Sequence, residues 1–339
     1  MSQSVTEKPK MKRGKKVICI ILSILIALIG VDLFCAFYHS SPESIIKYEA
    51  DNRYISTTGK PFISAHRSGG GIAPEESMLA FKNCIENKSF DVDVFEFDLH
   101  ITKDRVLVLL HDDTLDRTTD SREVFGVKGA RPENYTYEEL RELNIGARFK
   151  NSDGEMPYAE LKGDDVPDEL KIVRLENVLD YLEANGHYDY IIEIKNGGQL
   201  GKQGVDILCD VLSQRGLLDN VIFGTFKEEV SMYVDEVHPE LKRSATIKEV
   251  ASFYKSAMTN DESFDAKYIA LQIPYNMPIR LGINLGTAKL INYAHSHNIA
   301  VQYWTINSES ELEYLSSIGA DCIMSDYPDR LYNVLHESE

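Results

Sequence analysis

The chain has 339 residues, 36 Lys and Arg against 54 Asp and Glu, a formal charge of −18 and a pI near 5.0. Residues 1–16 carry six basic side chains and one acid, whereas everything after residue 38 sums to −22. So acidic a body excludes sequence-independent nucleic-acid binding, which needs Lys and Arg on phosphates, and a 43% hydrophobic content excludes a disordered acidic tail.

The first element is apolar. Val17–Val31 is interrupted only by Ser23 and Gly30, and after Asp32 the run resumes as Leu33–Tyr38. About 20 apolar residues span a bilayer as a helix, so 17–38 reads as a transmembrane anchor. The basic residues before it (1–16) place that end in the cytoplasm and the body outside the cell. A cleaved signal peptide would use 17–31 as its apolar region, but no A-x-A-like site follows. Cys84, Cys209 and Cys322 of the body form neither a disulfide framework nor a zinc pattern.

Residues 39–60 read as a stalk with a short helix, and 61–339 as one large domain. Short apolar or β-branched runs recur at 62–65, 94–98, 190–194, 221–224, 242–246, 268–272, 300–304 and 322–325. Helical spacing fills most intervals, as at 77–85, 175–182, 205–212, 288–294 and 310–316. Eight buried-type strands alternating with helices predict an α/β fold, a (β/α)8 barrel of the TIM type. One run breaks the alternation: 106–110 follows the second strand too closely for a parallel crossover and predicts a hairpin centred near Asp104. The stretch 113–189 is then an inserted segment, either a cap over a pocket or a solvated loop with short helices.

Polar residues collect at the predicted C-terminal ends of strands, where such barrels carry chemistry. His66 and Arg67 follow the first strand, and Glu96 and Asp98 lie two apart on the second, on one face. The hairpin returns His111 to a place opposite residue 97, Glu193 and Lys195 end the next barrel strand, and Trp304 ends the seventh. Three carboxylates without cysteine suit Ca2+ or Mg2+ as cofactor. Arg67 and Lys195 offer a fork and a point charge to a phosphate. Two histidines supply a general acid and a general base. His187, His238, His295 and His297 fall in predicted helices or loops and read as surface residues.

The stretch 63–81 (ISAHRSGGGIAPEESMLAF) resembles the opening motif of glycerophosphodiester phosphodiesterases. EFDLHITKD (96–104), HDDTLDRTT (111–119), IEIK (192–195), VQYWTIN (301–307) and GADCIMSDYPD (319–329) are similar to the later ones, in the same order. The resemblance implies hydrolysis of a glycerophosphodiester to glycerol 3-phosphate and an alcohol. It implies His66 and His111 as the acid–base pair, and Glu96, Asp98 and Glu193 on the divalent metal. Arg67 would bind phosphate with Lys195 opposite, Trp304 would pack on the glycerol moiety, and Glu75 would orient Arg67. The chain departs from the pattern at Ser68 and Arg105, where glycines are usual, at Glu76, where Asn is usual, and at Asp120-Ser121. Glu76 either adds a carboxylate to the site or serves as a first-turn helix acid. Two further readings stay open. One is a lysophospholipase D or sphingomyelinase D-like enzyme acting on lysolipid-type headgroups near the membrane. The other is a surface protein that binds a phosphate ligand without turnover.

Overall fold

A computed structural model describes residues 13–40, 43–49, 51–275 and 284–336; most of the basic N-terminal stretch lies outside them. The strands are β1 (Phe62–Ala65), β2 (Val94–Ile101), β3 (Leu107–Leu109), β4 (Asp189–Ile194), β5 (Val221–Gly224), β6 (Ala270–Pro274), β7 (Ala300–Trp304) and β8 (Cys322–Ser325). Seven of them form a parallel sheet in the order β5-β4-β2-β1-β8-β7-β6, and β3 pairs antiparallel with β2. The run expected as a strand at 242–246 makes only isolated bridges, Arg243 to Phe223 and Ser244 to Ala270. Those bridges nonetheless join β5 to β6 and close the ring into a (β/α)8-type barrel. Expected β6 is displaced two residues toward the C-terminus.

The hairpin follows its predicted register. Leu99 faces Leu109 and Ile101 faces Leu107, so the same register carried outward sets His111 against Phe97. Helices begin where side chains satisfy their first amides: Ser77 Oγ accepts from Ala80 N at 3.2 Å, and Thr246 and Glu249 form a reciprocal capping box.

Strand alternation sorts the side chains into two cores. Phe95, Phe97, Leu99, Tyr190, Ile192 and Phe223 point outward into one helix-covered layer, and Leu271, Ile273, Val301, Tyr303 and Ile323 into another. The inward residues at the strand starts (Val94, Ile191, Ile222, Ala270, Ala300, Cys322) form an apolar floor. Two residues further along, four of the six inward positions are polar: Glu96, Glu193, Gln272 and Gln302. Every residue of β2 is buried, Glu96 and Asp98 included.

The stretch read as a stalk is not free of the barrel. Tyr54 and Ile55 are buried against that floor, and no helix forms among its described residues from 43 onward. Apolar side chains at 54 and 55 close an otherwise open barrel end, which explains the difference. The helix Arg13–Ser40 includes an 18-residue apolar stretch, Gly14–Val31, buried against nothing in the chain, long enough to cross a membrane or to act as a signal sequence. The insert 113–189 builds its own small core from Leu115, Ala130, Leu140, Leu143, Ile145 and Ile172 against Val108 and Leu110.

Arg105, in the β2–β3 turn, sits at φ 65°, a left-handed conformation that favours glycine. Its side chain is exposed, and among the described residues it forms no ion pair. Arg105→Gly is therefore expected to raise stability by about 0.5–1 kcal/mol in urea denaturation.

Candidate active site

The site begins with a strained turn. After β1 the chain passes through Arg67 at φ 48°, Ser68 at φ 65° and Gly69 at φ 90°. Arg67 N donates to Glu96 Oε2 at 2.7 Å and Glu76 N donates to Arg67 O at 3.2 Å, which holds the turn over the end of β2. A Cβ on Gly71 would lie 2.6 Å from the Tyr327 ring and 2.8 Å from Asp326 O, so only glycine lets this loop meet the one after β8.

That meeting orients His66. Its Nδ1 lies 2.6 Å from Asp326 Oδ1, and its Nε2 lies 3.3 Å from Thr305 Oγ1 and 3.9 Å from Glu96 Oε2. Asn307 Nδ2 donates to the other Asp326 oxygen at 2.7 Å. Burial pulls the His66 pKa down, but the Glu96 and Asp326 charges outweigh it and the pKa is raised. His111 has the same arrangement: Nδ1 lies 2.8 Å from Asp112 Oδ1. Arg117 joins Asp112 (2.6 Å) to Glu75 (2.6 Å), and Glu75 Oε1 accepts from Arg67 Nη1 at 3.1 Å. One ion-pair chain thus runs from His111 to Arg67.

Glu96, Asp98 and Glu193 project inward from adjacent strands, with Asp98 in register with Glu193. Lys195 Nζ lies between two of them, 3.3 Å from Asp98 Oδ1 and 3.1 Å from Glu193 Oε1. Burial and the Asp98 charge push Glu193 up to about 8 despite Lys195, and the same two causes raise Glu96. Asp98 is lowered because Lys195, His111, His66 and Arg67 overcome its burial. The donor chemistry, two buried carboxylates, a half-buried third and no thiol, fits a hard divalent cation. Their oxygens are not drawn within 4.8 Å of one another; among the described residues, only Cys209, His238 and Glu240 on the barrel flank meet that spacing.

Glu76 is no surface helix acid. It is 1% exposed, sits at φ 58°, and accepts from Asp98 N at 3.1 Å through Oε1. Ser68, Glu76 and Arg105 all replace a residue that tolerates positive φ, and all three keep the positive φ. The backbone conformation survives the loss of the residue that favours it.

These groups line a cavity of about 570 Å3 at the C-terminal end of the strands. One half holds His66, Arg67, Glu96, Asp98, His111 and Glu193; Phe226, Ile247, Val250, Ala251, Tyr254 and Leu285 make the other half apolar. Trp304 meets Phe226 edge to face, centroids 6.0 Å apart. Among the described residues none of 113–189 lines the cavity, so the apolar wall comes from the loops after β5 and β6 and the helix Ile247–Thr259. The sequence-predicted residues His66, Arg67, Glu96, Asp98, His111, Glu193 and Trp304 all line it; Glu75 and Lys195 are bonded to members of the set. Sequence reasoning missed Asp326, Asp112, Arg117 and the apolar wall. Asp326 and Asp112 lie inside quoted motifs, but only folding brings Asp326 to His66. His295, expected at the surface, is buried with Nε2 2.8 Å from Asp321 Oδ2.

The model of the glycerophosphoryl diester phosphodiesterase family matches residues 66–330. A glycerophosphodiester phosphodiesterase of Bacillus subtilis is 25% identical over 80% of this chain and 85% of its own. The fold matches a glycerophosphoryl diester phosphodiesterase domain from Mycobacterium tuberculosis with a TM-score of 0.65 at 17% identity, covering 82% of this chain and all of that one. An Oleispira antarctica phosphodiesterase in complex with sn-glycerol-3-phosphate matches with a TM-score of 0.61 at 20% identity, over 82% and 98% of the two chains.

Burial first, then the charges of Asp98 and Glu96, raise the Glu76 pKa well above its ordinary value. The unfolded chain releases this proton near pH 4.5 and the fold retains it. Above that pH the fold binds more protons than the unfolded chain, so stability falls as pH rises. In metal-free buffer, Glu76→Gln should match the parent protein in urea denaturation at pH 4 and exceed it at pH 8.

Proposed function

The chain belongs to the glycerophosphoryl diester phosphodiesterase family and is an enzyme of that activity, and from that premise we propose how its own residues carry out the reaction. The substrate is a glycerophosphodiester, and the products are glycerol 3-phosphate and an alcohol. One observation carries the assignment of roles: two carboxylate-bonded histidines, an arginine and three carboxylates line a single cavity at the C-terminal end of the barrel strands.

Arg67 binds the phosphodiester through its guanidinium, held in place by Glu75. Lys195 contributes a second positive charge from the end of β4. Asp326 takes the Nδ1 proton of neutral His66 as a hydrogen bond, which leaves Nε2 to accept a proton. His66 removes the proton from the attacking hydroxyl, that of water or of the neighbouring glycerol carbon, as its oxygen bonds to phosphorus; where the glycerol hydroxyl attacks, a cyclic glycerophosphate forms, and in a second step water adds to phosphorus, losing its proton to His111, while the ring P–O bond breaks and the freed glycerol oxygen takes the proton held by His66. His111, oriented by Asp112, gives a proton to the departing alcohol oxygen as its bond to phosphorus breaks. Glu96, Asp98 and Glu193 would hold Ca2+ or Mg2+. Once bound, such an ion supplies positive charge that offsets the phosphate charge and its growth in the transition state. Phe226, Tyr254 and Trp304 cover the carbon-bearing parts of the substrate and keep water off the reacting centre.

Residues 1–16 form a cytoplasmic tail, 17–38 a single transmembrane anchor, and 61–339 a catalytic domain outside the cell. The apolar helix at 14–31 and the basic residues before it support this reading.

His66→Ala and His111→Ala are each expected to lower kcat/KM on glycerophosphocholine by about 10²- to 10⁴-fold. Full turnover by either purified variant would refute the acid–base assignment. Chelation should abolish activity, and titrating Ca2+ or Mg2+ back should restore it; activity undiminished by exhaustive chelation rules out the metal role.

A further inference from the structure

A second cluster of metal-type side chains lies on the flank of the barrel, and none of its members lines the cavity. Asp206 and Cys209 stand three residues apart on one face of the helix Gly198–Arg215. The next helix, Glu228–Val237, ends against them at His238. Leu241 N donates to His238 O at 2.9 Å, and the Leu241 side chain is buried in the core, so the turn between them brings Glu240 back to the His238 ring. Cys209 Sγ, one ring nitrogen of His238 and one carboxylate oxygen of Glu240 all lie within 4.8 Å of one another.

The partners of the His238 ring sort its two nitrogens. Nε2 lies 2.8 Å from Asp206 Oδ1, which also accepts from Tyr233 OH at 2.8 Å. A carboxylate only accepts, so Nε2 carries hydrogen and Nδ1 holds the lone pair of the neutral ring. That lone pair has Glu240 Oε1 at 3.3 Å. Two acceptors so placed need a proton or a cation between them. A proton shared by imidazole and carboxylate draws them to about 2.7–2.9 Å, the spacing that Nε2 has and Nδ1 lacks. Donors bound to a tetrahedral zinc at about 2.0–2.3 Å stand about 3.3–3.6 Å apart, which is the spacing of Nδ1 and Oε1. The sulfur agrees. Buried Cys84 donates to Ser68 O, whereas the buried Cys209 thiol makes no hydrogen bond among the described residues.

We propose that Cys209, His238 and Glu240 form a zinc site, separate from the catalytic cavity, in which Asp206 holds the imidazole from behind and water completes the tetrahedron. Thiolate and imidazole are borderline-soft donors that select Zn2+ or Co2+ over Ca2+ and Mg2+. The flank site therefore has the opposite preference to the three carboxylates of the cavity. On binding, the Cys209 thiol gives up its proton to solvent as the sulfur–metal bond forms. Cys209 is buried while Glu240 is exposed, so the sulfur is shielded and the fourth position opens to water. The ion pins the end of one helix to the middle of its neighbour, and so joins the helices that follow β4 and β5.

The test uses the full chain in detergent micelles with Mg2+ in excess, titrated with Co2+ as a spectroscopic stand-in for Zn2+. A thiolate-to-cobalt charge-transfer band in the near ultraviolet should grow to one equivalent per chain and vanish when Zn2+ is added. The carboxylates of the cavity hold no thiol and cannot give that band. Cys209→Ser should abolish it. Glu240→Gln, at an exposed position, should weaken Zn2+ binding at least about tenfold, and Asp206→Asn should weaken it by about 10- to 100-fold while the band is kept. Absence of the band in the parent protein, an undiminished band in Cys209→Ser, or parental Zn2+ affinity in Glu240→Gln overturns the site. Should Cys209→Ser fail to fold, the Glu240→Gln comparison decides alone.

Discussion

Four carboxyl groups crowd one end of a small barrel: Glu76, Glu96 and Asp98 are buried and Glu193 is half-buried beside them. Carboxyl groups brought together out of water either keep a proton, as Glu76 does, or need compensating charge and hydrogen-bond donors nearby. The structure supplies it from every side. Lys195 bridges Asp98 and Glu193, the backbone of Arg67 donates to Glu96, the backbone of Asp98 donates to Glu76, and His66 approaches Glu96. The strained turn at 66–69, the glycine at 71 and the loop contact with Asp326 all serve to bring those donors into place. A phosphodiester site follows from the same demand, because the cations that offset buried acids are also the ones that face an incoming phosphate.

The two ends of the barrel divide the work. Inward residues at the strand starts are apolar and are sealed by Tyr54 and Ile55, which gives the fold a dry floor. Inward residues toward the strand ends, Glu96, Asp98 and Glu193 among them, are mostly polar and line the cavity. Residues 52–56 pack against the first end and the cavity opens at the second. The bulk charge of −22 on the body repels a phosphate at long range, so the local field of Arg67, Lys195 and the histidines must dominate near the pocket.

Much of this was legible in the residues. Short apolar and β-branched runs marked the strands, the four-residue gap Thr102–Arg105 located the hairpin, and its centre near Asp104 set His111 beside Glu96 and Asp98. The motif spacing identified the metal-type carboxylates and both histidines because each lies within a few residues of a strand end. The wall of Phe226, Ile247, Val250 and Tyr254 was not legible, since at helical or loop spacing such residues read as ordinary core. Nor was the docking of Tyr54 and Ile55, whose partners lie on strands scattered from 94 to 324.

By itself the sequence determined the chemistry: which acids, bases and cations the site holds, and that an apolar helix precedes an acidic body. These are local properties, set by residue type and by the two-residue repeat of a strand. Tertiary structure alone decided the partners and the directions. Asp326 reaches His66 across 260 positions, Arg117 links His111 to Glu75, and Lys195 lies between two acids. It alone decided that Tyr54 and Ile55 close the floor and not the mouth. The physical reason is that such pairings depend on ring closure between β1 and β8, a long-range contact to which no short stretch of sequence is sensitive.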